Sequence, residues 1–435
     1  MTKEEIFTIV EEEDVEFIRL QFTDIFGTLK NIAITASQLE DALENKILFD
    51  GSSVKGFAPI EDSDLYLHPD LSTFCIFPWR PQQGKVARFI CNIHRTDGSV
   101  FEADPRAVLL NAYDKARQSG LNIFIEAECE FFLLNTDDKG EVSLNVKEKA
   151  SYFDIGPLDM SENIRRDIVL NLEEMGINIK SSHHEIAKAQ HEIDFTNQGA
   201  ISCADAIQTF RMAVKTLAKR HGLSASFMPK PFESENGSGM HFKISVLDNE
   251  GNNLLEEDGK LGKKGRAAVA GILEHACDTS LINNPLVNSY KRLKPGFDAP
   301  VYVSWSSNSN RSTLLRIPGE RNNQIRFELR SPDSATNPYL CIAMLIYSIL
   351  DGIEKDLPLK EAINENMYSS NEIANVKRLS STLKEAIDEF ENSDFVKEKL
   401  GTHIFCEYLN AKKAEWDEFN NAVTDWEIKK YLERY

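Results

Sequence analysis

The chain has 435 residues, more than one ordinary domain needs and enough to bury two or three cores. Hydrophobic residues make up 42% and charged residues 27%, a globular mixture that excludes a wholly disordered or fibrous chain. The 49 Lys and Arg against 69 Asp and Glu give a net charge of −20, a field that repels phosphate backbones and anionic membranes, so neither nucleic acid nor membrane is an expected partner.

The opening Met1-Thr2-Lys3-Glu4-Glu5 has neither the basic start nor the apolar run of a signal peptide, so export is not expected. Thr2 is placed to cap a short acidic helix, and residues 15–22 and 29–35 read as strands around the turn-prone Thr23-Asp24-Ile25-Phe26-Gly27. Residues 36–45 have a helical pattern. Asp50-Gly51-Ser52-Ser53 reads as a flexible polar loop before strands at 71–77 and 86–94. These elements make a small mixed sheet and an N-terminal domain over 1–103. Asp104-Pro105 then starts a helix over 105–119, closed by Gly120, which opens a second domain over 104–435.

In that second domain the pattern predicts strands near 122–134, 177–186, 190–195, 224–229, 240–247, 301–305, 311–317 and 324–330. Helices are predicted at 161–175, 203–220 and 265–278, which makes a large α+β domain. From Pro338 onward the chain reads as mostly helical. The apolar run at 339–350 is too short to span a bilayer and reads as a core helix. Seven cysteines at 75, 91, 129, 203, 277, 341 and 406 never form C-x-x-C, and reduced thiols in a cytosol fit them.

Chemistry concentrates on strand faces. In Ile125-Glu126-Ala127-Glu128-Cys129-Glu130 the period of two sends three carboxylates to one side. Such a row is either a solvated face or a charge awaiting a cation. His183-His184-Glu185 and Gln190-His191-Glu192 add two more carboxylates, but their odd spacing of seven requires a turn or bulge before both can face one way. A zinc helix of the H-E-x-x-H kind is excluded, because Lys188 stands four residues after His184.

Asn236-Gly237-Ser238-Gly239-Met240-His241 puts two glycines ahead of a strand whose His241, Lys243 and Ser245 share a face. The glycines serve either close backbone approach to a ligand or a plain hairpin turn. Ile325 to Arg330 alternates apolar residues with Arg326, Glu328 and Arg330, as a surface ion-pair ladder or as part of a site. Glu-rich positions with one His suit Mg²⁺ or Mn²⁺ better than zinc. Nearby Arg292, Arg311 and Arg316 suit an anion that is both metal-bound and Arg-clamped, as in phosphoryl transfer. No Walker A or G-x-G-x-x-G motif is present, so a nucleotide must be held by another architecture.

Nine segments in order give these features a common source: Phe49 to Ser53, Glu128 to Phe132, Ser182 to Glu185, Gln190 to Glu192, Phe227 to Pro231, Asn236 to His241, Asn288 to Leu293, Asn310 to Ser312 and Asn337 to Leu340. Over essentially its whole length the chain resembles type I glutamine synthetase of the shorter bacterial division. The resemblance implies an α+β protein with a small β-grasp domain and a catalytic domain built on a curved antiparallel sheet. It also implies a dodecamer of two hexameric rings, with each site between neighbouring subunits.

The implied reaction joins glutamate and ammonium, with ATP as co-substrate and two or more Mg²⁺ or Mn²⁺ ions, through a γ-glutamyl phosphate. By motif matching, Glu130, Glu185 and Glu192 would hold one ion and Glu128, His241 and Glu328 another. Arg292 and Arg330 would clamp glutamate beside Asn236 and Gly237. Arg311, Arg316 and Arg326 would face phosphate, while Phe195 and Ser245 line the nucleotide. Asp50 would bind ammonium and take its proton with help from Ser53 and Tyr152, and Asp298 would be the flap carboxylate. The family pattern is altered at Asp298, usually Glu; at Lys180, commonly Glu; at Lys188-Ala189; and at Lys243. A ligase for another amine, and a catalytically silent assembly protein, are the alternative expectations.

Overall fold

The computed structural model describes residues 1–80, 83–137, 139–317, 325–369 and 375–435. Thr2 caps the Lys3–Glu12 helix through a capping box with Glu5. Strands β1 (Val15–Thr23), β2 (Leu29–Thr35), β3 (Ile47–Asp50), β4 (Asp64–Ile76) and β5 (Lys85–Arg95) then form one sheet in the order β2-β1-β5-β4-β3. β1 and β5 run parallel and the other pairs antiparallel, so this is the expected small mixed sheet. The Asp24 to Gly27 turn is an Asx turn, with Asp24 Oδ1 accepting from the backbone N–H groups of Phe26 and Thr28.

Two local expectations change here. Residues 71–77 are the second half of a longer strand, because a register shift between Asp70 and Cys75 absorbs Pro69 and the Asp70–Ser72 turn without breaking the pairing. Residues 51–53 form a 3₁₀ turn rather than an irregular loop, since the Asp50 side chain accepts from Ser52 N–H at 2.8 Å.

Asp104 caps the Pro105–Gln118 helix and also accepts from Ile93 N–H at 3.0 Å, tying the helix start to β5. A second sheet is built around β6 (Asn122–Thr136), which pairs with five other strands among the described residues. Its main path runs from Trp305–Ser306 through Leu315–Arg316, Phe327–Leu329, Met240–Leu247, β6 and Gln190–Phe195 to Ile179–His184. The sheet is mixed rather than wholly antiparallel. Trp305–Ser306 and Leu315–Arg316 pair in parallel because an intervening loop carries the chain back to the same end. The strands expected at 301–305, 311–317 and 324–330 shrink to these two- and three-residue pieces, and Gln324 lies outside the described residues.

Helices cover the sheet's apolar face, and the Pro338–Glu354 helix is buried along almost its whole length. Asn337 caps it, and its Nδ2 donates to the Asp24 carbonyl oxygen at 3.1 Å, joining the first sheet's turn to the core of the second unit. The chain after Pro338 is helical as expected. Among the described residues, no helix is long and apolar enough to cross a membrane.

Candidate active site

The polar face of the second sheet is set by register. Opposite Glu128 on β6 stand His241 on one side and Asp194 on the other. Glu126 stands opposite Lys243, Glu130 opposite Glu192, and Glu192 opposite His183. Lys243 is in turn opposite Glu328, which is opposite Arg316. Period-two alternation therefore collects one polar side chain from each neighbouring strand into rows across the sheet. The spacing of seven between Glu185 and Glu192 is resolved by a hairpin. Glu185 N–H donates to the Gln190 carbonyl oxygen at 2.8 Å, and Ala189 takes a left-handed φ of 58°.

An open cavity of about 650 Å³ lies over this face, lined by Glu128, Glu130, Glu185, Glu192, His241 and Arg330, with Tyr152, Asp298 and Arg311 at its edge. Ligand atoms of Glu128, Glu192 and His241 all lie within 4.8 Å of one another, as do those of His183, Glu185 and Glu192. This grouping differs from the expected one: Glu192 takes the place of Glu328 beside Glu128 and His241. Glu328 is fully buried between two guanidinium groups, with Arg316 Nη2 at 2.7 Å and Arg330 Nη1 at 2.8 Å. In the second group His183 joins Glu185 and Glu192 where Glu130 was expected, with its Nε2 2.8 Å from Glu185 Oε1.

Charge is unevenly compensated. Burial and the neighbouring Glu185 push the Glu130 carboxyl up to about 8, although it accepts from Gln190 Nε2 at 2.9 Å and from Gly239 N–H at 3.0 Å. Glu192 is also held well above the carboxylate range, by burial and then by Asp194 and Glu130. Glu128 lies on the other side. Burial opposes its charge, but His241 and Lys243 outweigh that and hold it below its ordinary value. His241 is pushed down by burial and by Arg330, and its Nε2 is buried without a hydrogen-bond partner. Uncompensated carboxylate oxygens, one orphaned imidazole nitrogen and no cysteine make a donor set that fits a hard divalent ion.

Other expected residues divide by location. Arg292 is 2% exposed, and its guanidinium donates to the carbonyl oxygens of Ser331 and Arg330. The two glycines admit these groups. A Cβ at Gly237 would lie 2.2 Å from the Pro229 carbonyl oxygen, and one at Gly239 would lie 2.6 Å from His241 Nε2 and 2.7 Å from Arg292 Nη2. Asn236 is half-buried nearby. Arg326 Nη1 lies 2.8 Å from Glu126 Oε2. Ser245 is buried on the strand face that carries His241 and Lys243.

Phe195 is fully buried, edge-on to Phe210 at 5.5 Å, so its side chain packs in the core rather than facing the cavity. Asp50 and Ser53 do not line the cavity. Asp50 Oδ2 accepts from Ser53 Oγ at 2.5 Å on the exposed edge of the first sheet. Asp298 follows Gly296 in a loop with φ of 53°, and its Oδ1 is 3.9 Å from Arg330 Nη2.

Sequence reasoning passed over His183, Ser181 and Asp194. Each lies an even number of residues from Glu185 or Glu192 within its own strand segment, so the period-two signal was available. It also passed over Glu148, which accepts from Ala189 N–H at 3.0 Å and lies 3.1 Å from His184 Nε2, bracing the hairpin that carries Glu185. Glu148 comes from an irregular segment, where no periodicity marks it.

The fold and site together define a protein with a cavity on a β-sheet face whose carboxylates and histidine could hold a divalent ion beside Arg330 and Arg311. The profile of the glutamine synthetase catalytic domain matches residues 102–431, and that of the glutamine synthetase beta-Grasp domain matches residues 14–96. The chain belongs to the glutamine synthetase family. It is 48% identical to a glutamine synthetase of Clostridium saccharobutylicum over 440 aligned positions, covering 100% of this chain and 99% of that protein. Among solved structures, a GmaS/ADP complex superposes with a TM-score of 0.89 at 28% identity, covering 98% of this chain and 99% of that one. Plasmodium falciparum glutamine synthetase superposes with a TM-score of 0.88 at 25% identity, covering 99% of each.

Proposed function

We infer that the chain joins ammonia to the side-chain carboxylate of glutamate at the expense of ATP, giving glutamine, ADP and phosphate by way of a γ-glutamyl phosphate. The observation that carries this reading is the cavity in which Glu130, Glu185 and Glu192, carboxylates whose ion-pair neighbours among the described residues are histidines alone, meet Arg330 and Arg311. A carboxylate and a triphosphate repel each other, so bringing them together needs positive charge from both sides.

Divalent ions held by Glu130, Glu185 and Glu192, and by Glu128 with His241, would supply that charge on the sheet side when bound. Arg330 and Arg292 would orient glutamate against the Gly237 backbone. Arg311, exposed at the cavity edge, would compensate the charge of the phosphoryl group as it passes from ATP to the glutamate carboxylate, with Arg316 and Arg326 behind it and Ser245 along the nucleotide end. Asp50, with Ser53, would take the proton of ammonium from a neighbouring subunit, since its own chain holds it away from the cavity. Tyr152 and Asp298 would close the ammonium side. The GmaS protein was solved as an ADP complex, which supports an adenine nucleotide as a ligand of this fold. We place the domain division between residues 103 and 104, the working assembly as a dodecamer of two rings, and the protein in the cytoplasm.

Purified protein with Mg²⁺, ATP and glutamate should release phosphate only when ammonium is added, and should form glutamine in equal amount. Phosphate release without glutamine, or a preference for ethanolamine or a polyamine over ammonium, would overturn this assignment.

A further inference from the structure

The loop that carries Asp298 rests on a buried cation. Between the buried Leu293 and Ala299 the chain is exposed at Lys294, Pro295, Gly296 and Asp298, and Phe297 alone is partly buried. Its ring lies over the Lys230 ammonium, with Nζ 3.4 Å from the ring centroid. On either side of Phe297, Gly296 and Asp298 take left-handed φ of 90° and 53°, a conformation that a residue such as Asp298 keeps only when its surroundings fix it. One residue further on, the Tyr368 hydroxyl donates to the Ala299 carbonyl oxygen at 2.9 Å.

Lys230 is held firmly in that position. It is 6% exposed, and one side chain grips its main chain at both ends: Lys230 N–H donates to Asn288 Oδ1 at 2.7 Å, and Asn288 Nδ2 donates to the Lys230 carbonyl oxygen at 3.0 Å. Asn288 immediately precedes the Ser289–Arg292 helix, so Lys230 and Arg292 are set on one frame. The ammonium donates to the Glu235 carbonyl oxygen, while the Glu235 carboxylate lies beside Lys188 Nζ at 3.6 Å. Among the described residues, no carboxylate lies within ion-pair distance of Lys230, so a carbonyl and the face of Phe297 compensate its charge. A cation shielded from water draws more from an aromatic face than an exposed one does. Neither Lys230 nor Phe297 lines the cavity over the carboxylates, so neither acts on a substrate directly.

We propose that Lys230 and Phe297 form a cation–π clasp that holds the Asp298 loop at the cavity edge, which makes Lys230 a positioning residue for Asp298 on the ammonium side. The role of Asp298 rests on the ligase reading; the clasp does not. With the ring in place, Asp298 Oδ1 stands 3.9 Å from Arg330 Nη2. When the ring leaves, the loop keeps its anchor at Ala299 but Asp298 lies on the freed side of it, and the Lys230 ammonium loses its aromatic cover. That loss favours the closed loop by about tenfold or more.

The test compares Phe297→Leu, which keeps apolar bulk without a ring face, Lys230→Met, which keeps the stem without the charge, and Phe297→Tyr, which keeps the ring. Hydrogen exchange read by mass spectrometry follows the loop without reference to turnover. Amides of 294–299 should exchange about tenfold faster in Phe297→Leu and in Lys230→Met, and at the wild-type rate in Phe297→Tyr. Unchanged exchange in the Met240–Leu247 strand reports that each variant is folded. In steady-state assays the two disrupting variants should raise the KM for ammonium by about tenfold or more and leave the KM for ATP within about threefold, with Phe297→Tyr like wild type. The double variant Lys230→Met with Phe297→Leu should be no worse than either single, since both remove one contact. Unchanged exchange over 294–299 in both single variants would overturn the proposal, as would a Phe297→Tyr loop that behaves like Phe297→Leu, additive effects in the double variant, or an equal rise in both KM values. Faster exchange with an unchanged KM for ammonium would overturn the positioning of Asp298. The expected exchange pattern in a protein whose wild type forms no glutamine would support the clasp and overturn only the ligase assignment.

Discussion

Glu192 stands directly opposite Glu130 on the neighbouring strand, and burial, with Asp194 and Glu130, keeps the Glu192 carboxyl above its ordinary range. The pair is the part of the cavity where burial and repulsion act in the same direction. Glu192→Gln removes one of the two repelling groups while keeping the shape. Metal affinity should fall by about 100-fold or more, because a ligand is lost. The metal-free protein should nonetheless melt higher, by at most about 2–4 °C per kcal/mol gained, the scale of a 150–250-residue domain. Calorimetric titration and thermal melts in chelator check the two halves of this prediction, and a lower melting temperature in chelator would contradict it.

Arg330 has the opposite role, since it compensates a buried charge rather than opposing one. Arg330→Met leaves fully buried Glu328 with Arg316 as its remaining partner, and breaking such a pair costs about 3–5 kcal/mol. The urea midpoint should drop accordingly. Arg330→Met with Glu328→Leu should recover much of that loss, because no ion is then buried alone. Denaturant melts of the single and double variants test this.

Asp50 lies on an exposed edge and its removal should hardly affect stability, yet Asp50→Asn should lower kcat by about 100-fold or more if it is the proton acceptor. Oligomers reassembled from a mixture of Asp50→Asn and Glu192→Gln chains should recover activity that neither parent has. Steady-state assays before and after subunit mixing measure this, and parents that stay inactive after mixing would place Asp50 and Glu192 in the same site of the same chain.

His275 provides a pH-dependent tie outside the cavity. It ends the Lys263–Glu274 helix, its Nε2 is 2.9 Å from Asp351 and its Nδ1 3.3 Å from Asp278, and its ring stacks on Phe395. Burial pushes its pKa down, but the hydrogen bonds with Asp278 and Asp351 outweigh this and raise it above 6.5. The stabilising contribution is therefore full below 6.5 and is lost as the pH rises through the raised value. Thermal melts of wild type should decline over that window, and His275→Gln should flatten the decline.

Much of the site was legible because strands obey a period of two. Glu126, Glu128 and Glu130 had to share a face once β6 was recognised, and His241 with Lys243 had to share one on the Met240–Leu247 strand. Which carboxylate pairs with which cation was not legible. Glu328 alternates as faithfully as Glu128, and only the side-chain contacts of the folded sheet decide that two arginines enclose the first while His241 and Lys243 face the second. The two- and three-residue strands near Leu315 and Phe327 were overestimated because an alternating pattern reports which face a residue uses, not how long the pairing lasts. Phe195 shows the reverse error: motif position placed it at the nucleotide, and its aromatic surface goes to the core beside Phe210.

The Asn337 amide links the turn after β1 to the start of the buried Pro338–Glu354 helix. That link lies far along the chain from the Asp24 turn, so the first sheet cannot swing freely on the 96–104 connector as a tethered module would. In the ring assembly proposed above, any rearrangement that carries Asp50 toward a neighbour's cavity would travel as a shift of whole subunits, and cross-linking Asp24 turns to their own helix should be harmless to turnover while cross-linking between subunits should arrest it.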